Sequence, residues 1–404
     1  MRFKLLAAML LITAAFIGRS FWLEAVHLNQ ANIALMKAYS APGGPHAELA
    51  LAFTSAEIQG PLASRWARLQ GIASLWAGQP GQAVAALERA AALEGIQVSP
   101  VTYIWLGDAY QATNDTPSAI RAWDRAGGAR LLRHKGDELR QAGQLAAAAA
   151  VFEATLRLYP NTATGYTGLG QVAVERQDWA AAEIWFTQAL ALDPNAAQAH
   201  TGLATVLIQQ GRYEDARNHL EQAIALKPED LRAYLLMGDT FAREGNYTLA
   251  QTWYAHAAGL FPGSAEPDIR LALAAIAQGR SQEAFAALEA AGRKDPHNAQ
   301  RHIALAQAYR LAGGPQALGS AITALEQATA LAPHNLWAWV WLGDSYRDAG
   351  RCAESQAAYA RAAQLDPANA QVAAHQAVPC RPYGVLNPVS DLSAVGFSTA
   401  EGAR

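Results

Sequence analysis

ATGYTGLGQVAVERQDWAAAEIWFTQALALDPNA, residues 163–196, runs directly into AQAHTGLATVLIQQGRYEDARNHLEQAIALKPED, residues 197–230, and laying the second stretch under the first decides the fold. Ala182 falls over Ala216, Ala189 over Ala223 and Pro194 over Pro228. Extended in both directions, the 34-residue period takes in Pro160, Pro194, Pro228, Pro262 and Pro296. Small residues share it at Thr155, Ala189, Ala223, Ala257 and Ala291, and again at Ala148, Ala182, Ala216, Ala250 and Ala284; glycine recurs near mid-repeat at Gly143, Gly211, Gly245 and Gly279. A repeat of this length holds two helices. The first ends at the glycine, which supplies a left-handed residue, and the second ends before the proline, which cannot continue it. One such hairpin cannot bury its own apolar face, so consecutive hairpins must stack into a solenoid.

Composition fits this reading. Of 404 residues, 51% are hydrophobic and only 16% charged, which excludes an intrinsically disordered chain. Two cysteines, Cys352 and Cys380, are too few for a disulfide-dense scaffold or a four-cysteine zinc module. The net charge is −3, the lysines are only Lys4, Lys37, Lys135, Lys227 and Lys294, and no basic run with interleaved aromatics occurs. Nucleic acid is therefore excluded as a partner, since its affinity comes from neutralised phosphates. At the N-terminus Arg2 and Lys4 precede the uncharged run Leu5–Gly18. A helix over Leu5–Leu23 is long enough to span a bilayer, with Arg19 and Trp22 at the interface. Residues 1–23 thus read as a single-pass anchor with the body outside the cytoplasm, or else as an export signal that is cleaved.

The pattern resembles the tetratricopeptide repeat family, in which an aromatic, Leu-Gly, a further aromatic, Gly, Ala, an aromatic, Ala and Pro follow in order. The segment from 163 carries Tyr166, Leu169-Gly170, Ala182, Phe186, Ala189 and Pro194; that from 336 carries Trp339, Leu342-Gly343, Tyr346, Gly350, Tyr359, Ala362 and Pro367; that from 100 carries Tyr103, Leu106-Gly107, Tyr110, Ala119, Trp123 and Ala126. Units begin at 64, 100, 129, 163, 197, 231, 265, 299 and 336, with a degenerate one near 30. The unit at 100 is short, and the unit at 299 carries an insertion around Gly313-Gly314-Pro315. The resemblance implies an all-α, right-handed superhelical solenoid of nine to ten hairpins behind the N-terminal transmembrane or signal helix. The expected division is an anchor or signal at 1–23, a helical lead-in at 24–63, the solenoid at 64–369, a capping helix at 370–378 and a flexible tail at 379–404. The architecture is similar to that of membrane-anchored bacterial members of the family that organise envelope assembly.

In this family the first helix of each unit lines a concave wall at positions two, five, nine and twelve. Transferred here, the wall takes in Asp108, Gln171, Thr205, Arg232, Asp239, Ile269, Leu273, Gln307, Arg310, Trp337, Asp344 and Arg347. Asp108, Asp239 and Asp344 stand in matching contexts, LGDAY, MGDTF and LGDSY, and read as groove carboxylates, solvated or in contact with a basic or polar peptide. Trp337 reads as a binding anchor or as packing against a neighbouring helix. The paired Lys and Asn of chaperone-binding members are missing. No catalytic constellation, cofactor box or metal-ligand spacing emerges; His200, His297, His302 and His334 read as structural or surface residues. Cys352 begins the second helix of the last unit and Cys380 falls late in the helix after Pro367, so antiparallel packing would bring them close. A disulfide and two free thiols both remain open. The implied function is a non-catalytic scaffold that holds a protein or peptide in its groove at the bacterial membrane. The alternative is a carbohydrate-binding accessory module of a membrane polysaccharide polymerase or transferase, with Trp105, Trp337 and Asp344 toward the sugar.

Overall fold

In the computed structural model, residues 62–380 are described and fold entirely as helices and turns. The expected anchor or signal, most of the lead-in and all but two residues of the tail lie outside this range. Among the described residues no helix is long and apolar enough to cross a membrane. The first hairpin is α1 (Ala63–Trp76) with α2 (Pro80–Glu94), followed by α3 (Pro100–Ala112), α4 (Thr116–Gln141) and α5 (Leu145–Leu158). Then come α6 (Ala163–Glu175) and α7 (Trp179–Leu192), α8 (Ala197–Gln209) and α9 (Tyr213–Leu226), α10 (Leu231–Arg243) and α11 (Tyr247–Leu260). The C-terminal hairpins are α12 (Glu266–Ala277) with α13 (Ser281–Lys294), α14 (Ala299–Ala312) with α15 (Pro315–Leu331), and α16 (Leu336–Asp348) with α17 (Cys352–Leu365); α18 (Ala370–Ala377) closes the series alone. Two compact units meet between Val172 and Ala173, inside α6. An array whose members touch only their neighbours divides readily.

Backbone chemistry sets the boundaries. Position 15 of every unit is left-handed: Gly78, Gly143, Gly211, Gly245, Gly279, Gly313 and Gly350 take it with φ between 71 and 80°, and so do Asn114 (φ 63°) and Gln177 (φ 59°). At the far end of the second helices, the residue before each junction proline is extended, with φ −134° at Tyr159, −142° at Lys227 and −145° at Asp366, because a following proline ring disfavours the helical region. Asn246, Asn298 and Asn335 then start α11, α14 and α16, their side chains accepting from the backbone N–H three residues on. Two expected irregularities take specific forms. No proline stands between the units at 100 and 129, so the chain continues as the single element α4, broken only at Gly128 (φ 58°, ψ −148°). The insertion at Gly313-Gly314-Pro315 lengthens α15 to 17 residues, with Pro315 in its first turn.

The recurrent small residues are core. Ala182, Ala216, Ala250, Ala284 and, after the insertion, Ala321 are fully buried, as are Ala189, Ala223, Ala257, Ala291 and Ala328. Positions 8 and 24 of a unit face each other and vary together. Where position 24 is a ring, position 8 is glycine: a Cβ on Gly343 would lie 2.7 Å from Tyr359, and one on Gly238 would overlap Tyr254. Where position 24 is Leu288 or Leu325, position 8 is Ala272 or Ala306, and both members of each pair are buried. Gly71 with Leu87 departs from this rule. Within residues 173–380, α8, α10, α12 and α14 also contact one another in succession, so the first helices form one continuous layer there.

Candidate functional site

The three matching aspartates are ties within the fold; Asp239 and Asp344 are shut off from solvent, while Asp108 keeps 24% of its side chain exposed. Asp239 and Asp344 are only 3% and 5% exposed. Each accepts from the polar tip of the position-24 residue fifteen places on: Asp108 from Trp123 Nε1 at 3.0 Å, Asp239 from Tyr254 Oη at 2.6 Å, Asp344 from Tyr359 Oη at 2.7 Å. A buried hydroxyl or indole N–H needs such an acceptor. Each carboxylate also takes a basic side chain from the next first helix: the Lys135 ammonium at 2.9 Å for Asp108, the Arg270 guanidinium at 2.8 Å for Asp239, and the His375 imidazole at 3.0 Å for Asp344, the last two both 31 residues on. At Asp239 and Asp344 three helices are thereby joined at one carboxylate, while at Asp108 both partners come from α4, on either side of its break at Gly128.

The charge states follow from the surroundings. Burial pushes the Asp239 carboxyl up, while Arg270 and the Tyr254 hydrogen bond pull it down. Burial also works against the Arg270 guanidinium, but Asp239 and Glu266 outweigh it and hold it above its ordinary value. We read Asp239 and Arg270 as an ion pair, because Arg270 Nη1 reaches both carboxylate oxygens, at 2.9 and 2.8 Å. Burial similarly opposes the Lys135 charge, and Asp108 and Glu138 reverse the effect, so its pKa rises.

The remaining expected wall residues separate into three groups. Thr205 is buried and donates to the Thr201 carbonyl at 2.9 Å, and Ile269 is core with Leu273 packed against the same cluster. Arg347 is buried, bound to Asp344 at 2.8 Å and to the Tyr359 hydroxyl at 2.8 Å. Trp337 packs half-buried against Val340, Tyr359, Ala362 and Val372, together with Trp339 and Trp341. Asp344 is therefore not placed to face a sugar, and Trp105, in the unit at 100, stacks edge-on against Trp76 at 6.1 Å. Arg310 bridges α14 to α16, donating to Asp348 at 2.9 Å and to Ser345 Oγ at 3.2 Å; burial raises the Asp348 carboxyl against the pull of Arg310. Gln171 is half-buried and Arg232 exposed.

Gln307 is different. It occupies the same position nine as Asp239 and Asp344, but its position-24 counterpart, after the insertion, is Leu325, which has nothing to donate. Its buried Oε1 has no hydrogen-bond partner. Gln307 as a whole is half-buried, although its Oε1 is enclosed.

Position four also has a shared role. The ring N–H there donates to the carbonyl of the junction proline six residues back: His200 to Pro194 at 3.0 Å, His302 to Pro296 at 3.2 Å, Trp339 to Pro333 at 2.9 Å. His200 Nδ1 then faces His219 Nδ1 at 2.9 Å, a pairing across 19 residues that spacing does not reveal. Burial and His200 lower the pKa of His219, and burial lowers that of His302. Among the described residues no three His, Cys, Asp or Glu side chains gather as a metal site.

The family model for the tetratricopeptide repeat matches residues 134–197, 201–265 and 318–370. The chain is a tetratricopeptide repeat protein. Its hairpin array is similar to the crystal structure of yeast Tom70, with a TM-score of 0.55 at 14% identity over 88% of this chain and 87% of that one. It is also similar to a tetratricopeptide repeat protein from Parabacteroides merdae, with a TM-score of 0.50 at 15% identity over 61% of this chain and 98% of that one. At these identities the likeness concerns the fold alone. No curated protein sequence matches the chain.

Proposed function

We propose that this tetratricopeptide repeat protein is a non-catalytic scaffold that binds a segment of a partner protein on the first-helix layer within residues 173–380, tethered to the bacterial membrane through its N-terminal apolar run. The supporting observation is Gln307 Oε1, a buried acceptor without a donor, in a layer whose aspartates are satisfied internally. Leaving such a group unmade costs about 1–3 kcal/mol. A partner's backbone N–H placed against Gln307 removes that cost, so this position favours the bound state. The tether is supported by Leu5–Gly18, an uncharged run preceded by Arg2 and Lys4. To test it, a photo-crosslinking amino acid is placed at position 307 in cells, with position 259 as control. Gly259 lies on the second helix α11, where an added Cβ meets open space. A discrete partner captured from 307 and not from 259 supports the reading; equal capture from both removes it.

A further inference from the structure

The last described helix, α18, stands where a further repeat would begin. His375 meets Asp344 across 31 residues, the same interval that separates Arg270 from Asp239, so α18 occupies the place of a next first helix. It has eight residues, too few to persist as a helix without its docking contacts. Its only buried side chain is Val372, which enters the cluster of Val340, Tyr359 and Ala362. Polar contacts add the His375–Asp344 pair and Arg347 Nη1, which donates to the His375 carbonyl at 3.1 Å. One covalent link completes the attachment. Cys352, at the start of α17, is joined to Cys380, three residues beyond the end of α18, so of the two readings left open by the sequence the structure shows the disulfide. Cys380 lies past the helix and not within it, since α18 ends at Ala377.

We propose that α18 is a redox-gated plug over a helix-docking face. A dithiol reductant opens the link by two exchanges: its thiolate attacks one cysteine sulfur and releases the other as thiolate, then its second thiol displaces the first cysteine. The reductant leaves as a cyclic disulfide, and Cys352 and Cys380 each gain a proton. With the link open, α18 is held by one valine and a few polar contacts, and it undocks. The uncovered end of α16 and α17 presents an apolar floor of Val340, Tyr359 and Ala362 beside Asp344 Oδ2, which His375 had faced. The occupant is a helix of a partner protein carrying an aliphatic residue and, three positions later, a basic side chain that reaches Asp344, the places Val372 and His375 hold in α18. Charge complementarity sets this choice: the matching carboxylates Asp239 and Asp108 each take a cation from the following first helix. The plug acts at the end of the array and is independent of Gln307.

Two measurements on the full-length protein test this. Hydrogen–deuterium exchange is compared with and without dithiothreitol. Residues 370–377 should exchange at least about tenfold faster after reduction, with α16 and α17 as protected as before. Unchanged exchange in α18 overturns the gate; loss of protection through α16 and α17 also overturns it, since the link would then be a staple of the fold. In the second measurement, a fluorescein-labelled peptide with the sequence of residues 366–379 is titrated into the reduced chain carrying Val372→Asp, which disables its own plug. The peptide should bind, its His375→Lys form more tightly and its His375→Glu form about tenfold more weakly, whereas the oxidised wild-type chain should bind none of them. No binding to the reduced variant, or equal binding of all three peptides, overturns the docking face.

Discussion

Replacing Arg270 with methionine keeps most of the side-chain volume and removes the counter-ion of Asp239. The carboxylate is then left 4% exposed, with Tyr254 Oη still donating to it. Removing one partner of a buried pair costs about 3–5 kcal/mol. The loss should depend on pH, with a sign set by Asp239. Burial already pushes its carboxyl up, and Arg270 is the strongest opposition to that push; without it the folded-state pKa of Asp239 rises further above the unfolded value of about 3.9. A folded state that holds a proton more tightly than the unfolded one is stable at low pH and weakens as pH rises through the folded pKa. The penalty is therefore smallest at low pH, where the variant's Asp239 is protonated, and grows as pH rises through its raised folded-state pKa, reaching about 3–5 kcal/mol where the carboxylate is ionised without its counter-ion. Amide hydrogen exchange in α10–α12 reads the local opening free energy directly, without requiring the whole array to unfold as one unit. At pH 7.5 the variant should lose about 3–5 kcal/mol of protection, and at pH 4.5 clearly less. A loss below 1 kcal/mol at both pH values would refute the carboxylate tie.

Three further predictions rest on single contacts. Gly238→Ala places a Cβ into the Tyr254 ring and should lower stability by about 1–3 kcal/mol, whereas Gly259→Ala, in open space, should raise it by about 0.5–1 kcal/mol; thermal melts of the two variants should shift in opposite directions. Gln177 holds φ 59° where seven of the other units have glycine, so Gln177→Gly should stabilise by about 1 kcal/mol, read by urea unfolding followed by circular dichroism. Trp339→Phe removes the N–H donated to the Pro333 carbonyl and should cost about 0.5–1.5 kcal/mol, with faster exchange confined to α16 and its junction.

The array was legible in the sequence because its punctuation is backbone chemistry. A proline constrains the residue before it, a glycine permits φ near 75°, and neither depends on what packs nearby. Gln177 shows the limit: it takes the same left-handed conformation with no residue-type signal. The aspartates show a different limit. LGDAY, MGDTF and LGDSY marked Asp108, Asp239 and Asp344 as a set, yet a wall position says nothing about whether the carboxylate faces water or a partner within the fold. The deciding residues lie fifteen places on. Trp123, Tyr254 and Tyr359 carry a donor there, while Leu220 and Leu288 do not, and the units with those leucines have Thr205 and Leu273 in place of aspartate. That covariation was present in the sequence. Gln307 was among the expected wall residues, but its orphaned oxygen depends on the helix geometry around Leu325, which the insertion displaces from its usual spacing. The His200–His219 pair was hidden for the same reason, since only packing of α8 on α9 brings the two rings together.

The ties hold the array, Gln307 is the proposed contact to the partner, and one comparison separates the two roles. The affinity of the partner captured from position 307 is measured for Gln307→Leu and for Tyr254→Phe, each beside its own thermal melt. Gln307→Leu removes an unmade acceptor, so it should raise stability by about 1 kcal/mol while weakening the partner about threefold to tenfold. Tyr254→Phe takes a donor from a buried carboxylate, so it should lower stability by about 1.5–3 kcal/mol and leave the affinity unchanged. If Gln307→Leu leaves the affinity intact, or if Tyr254→Phe weakens the partner as strongly, the division between ties and binding residues is wrong.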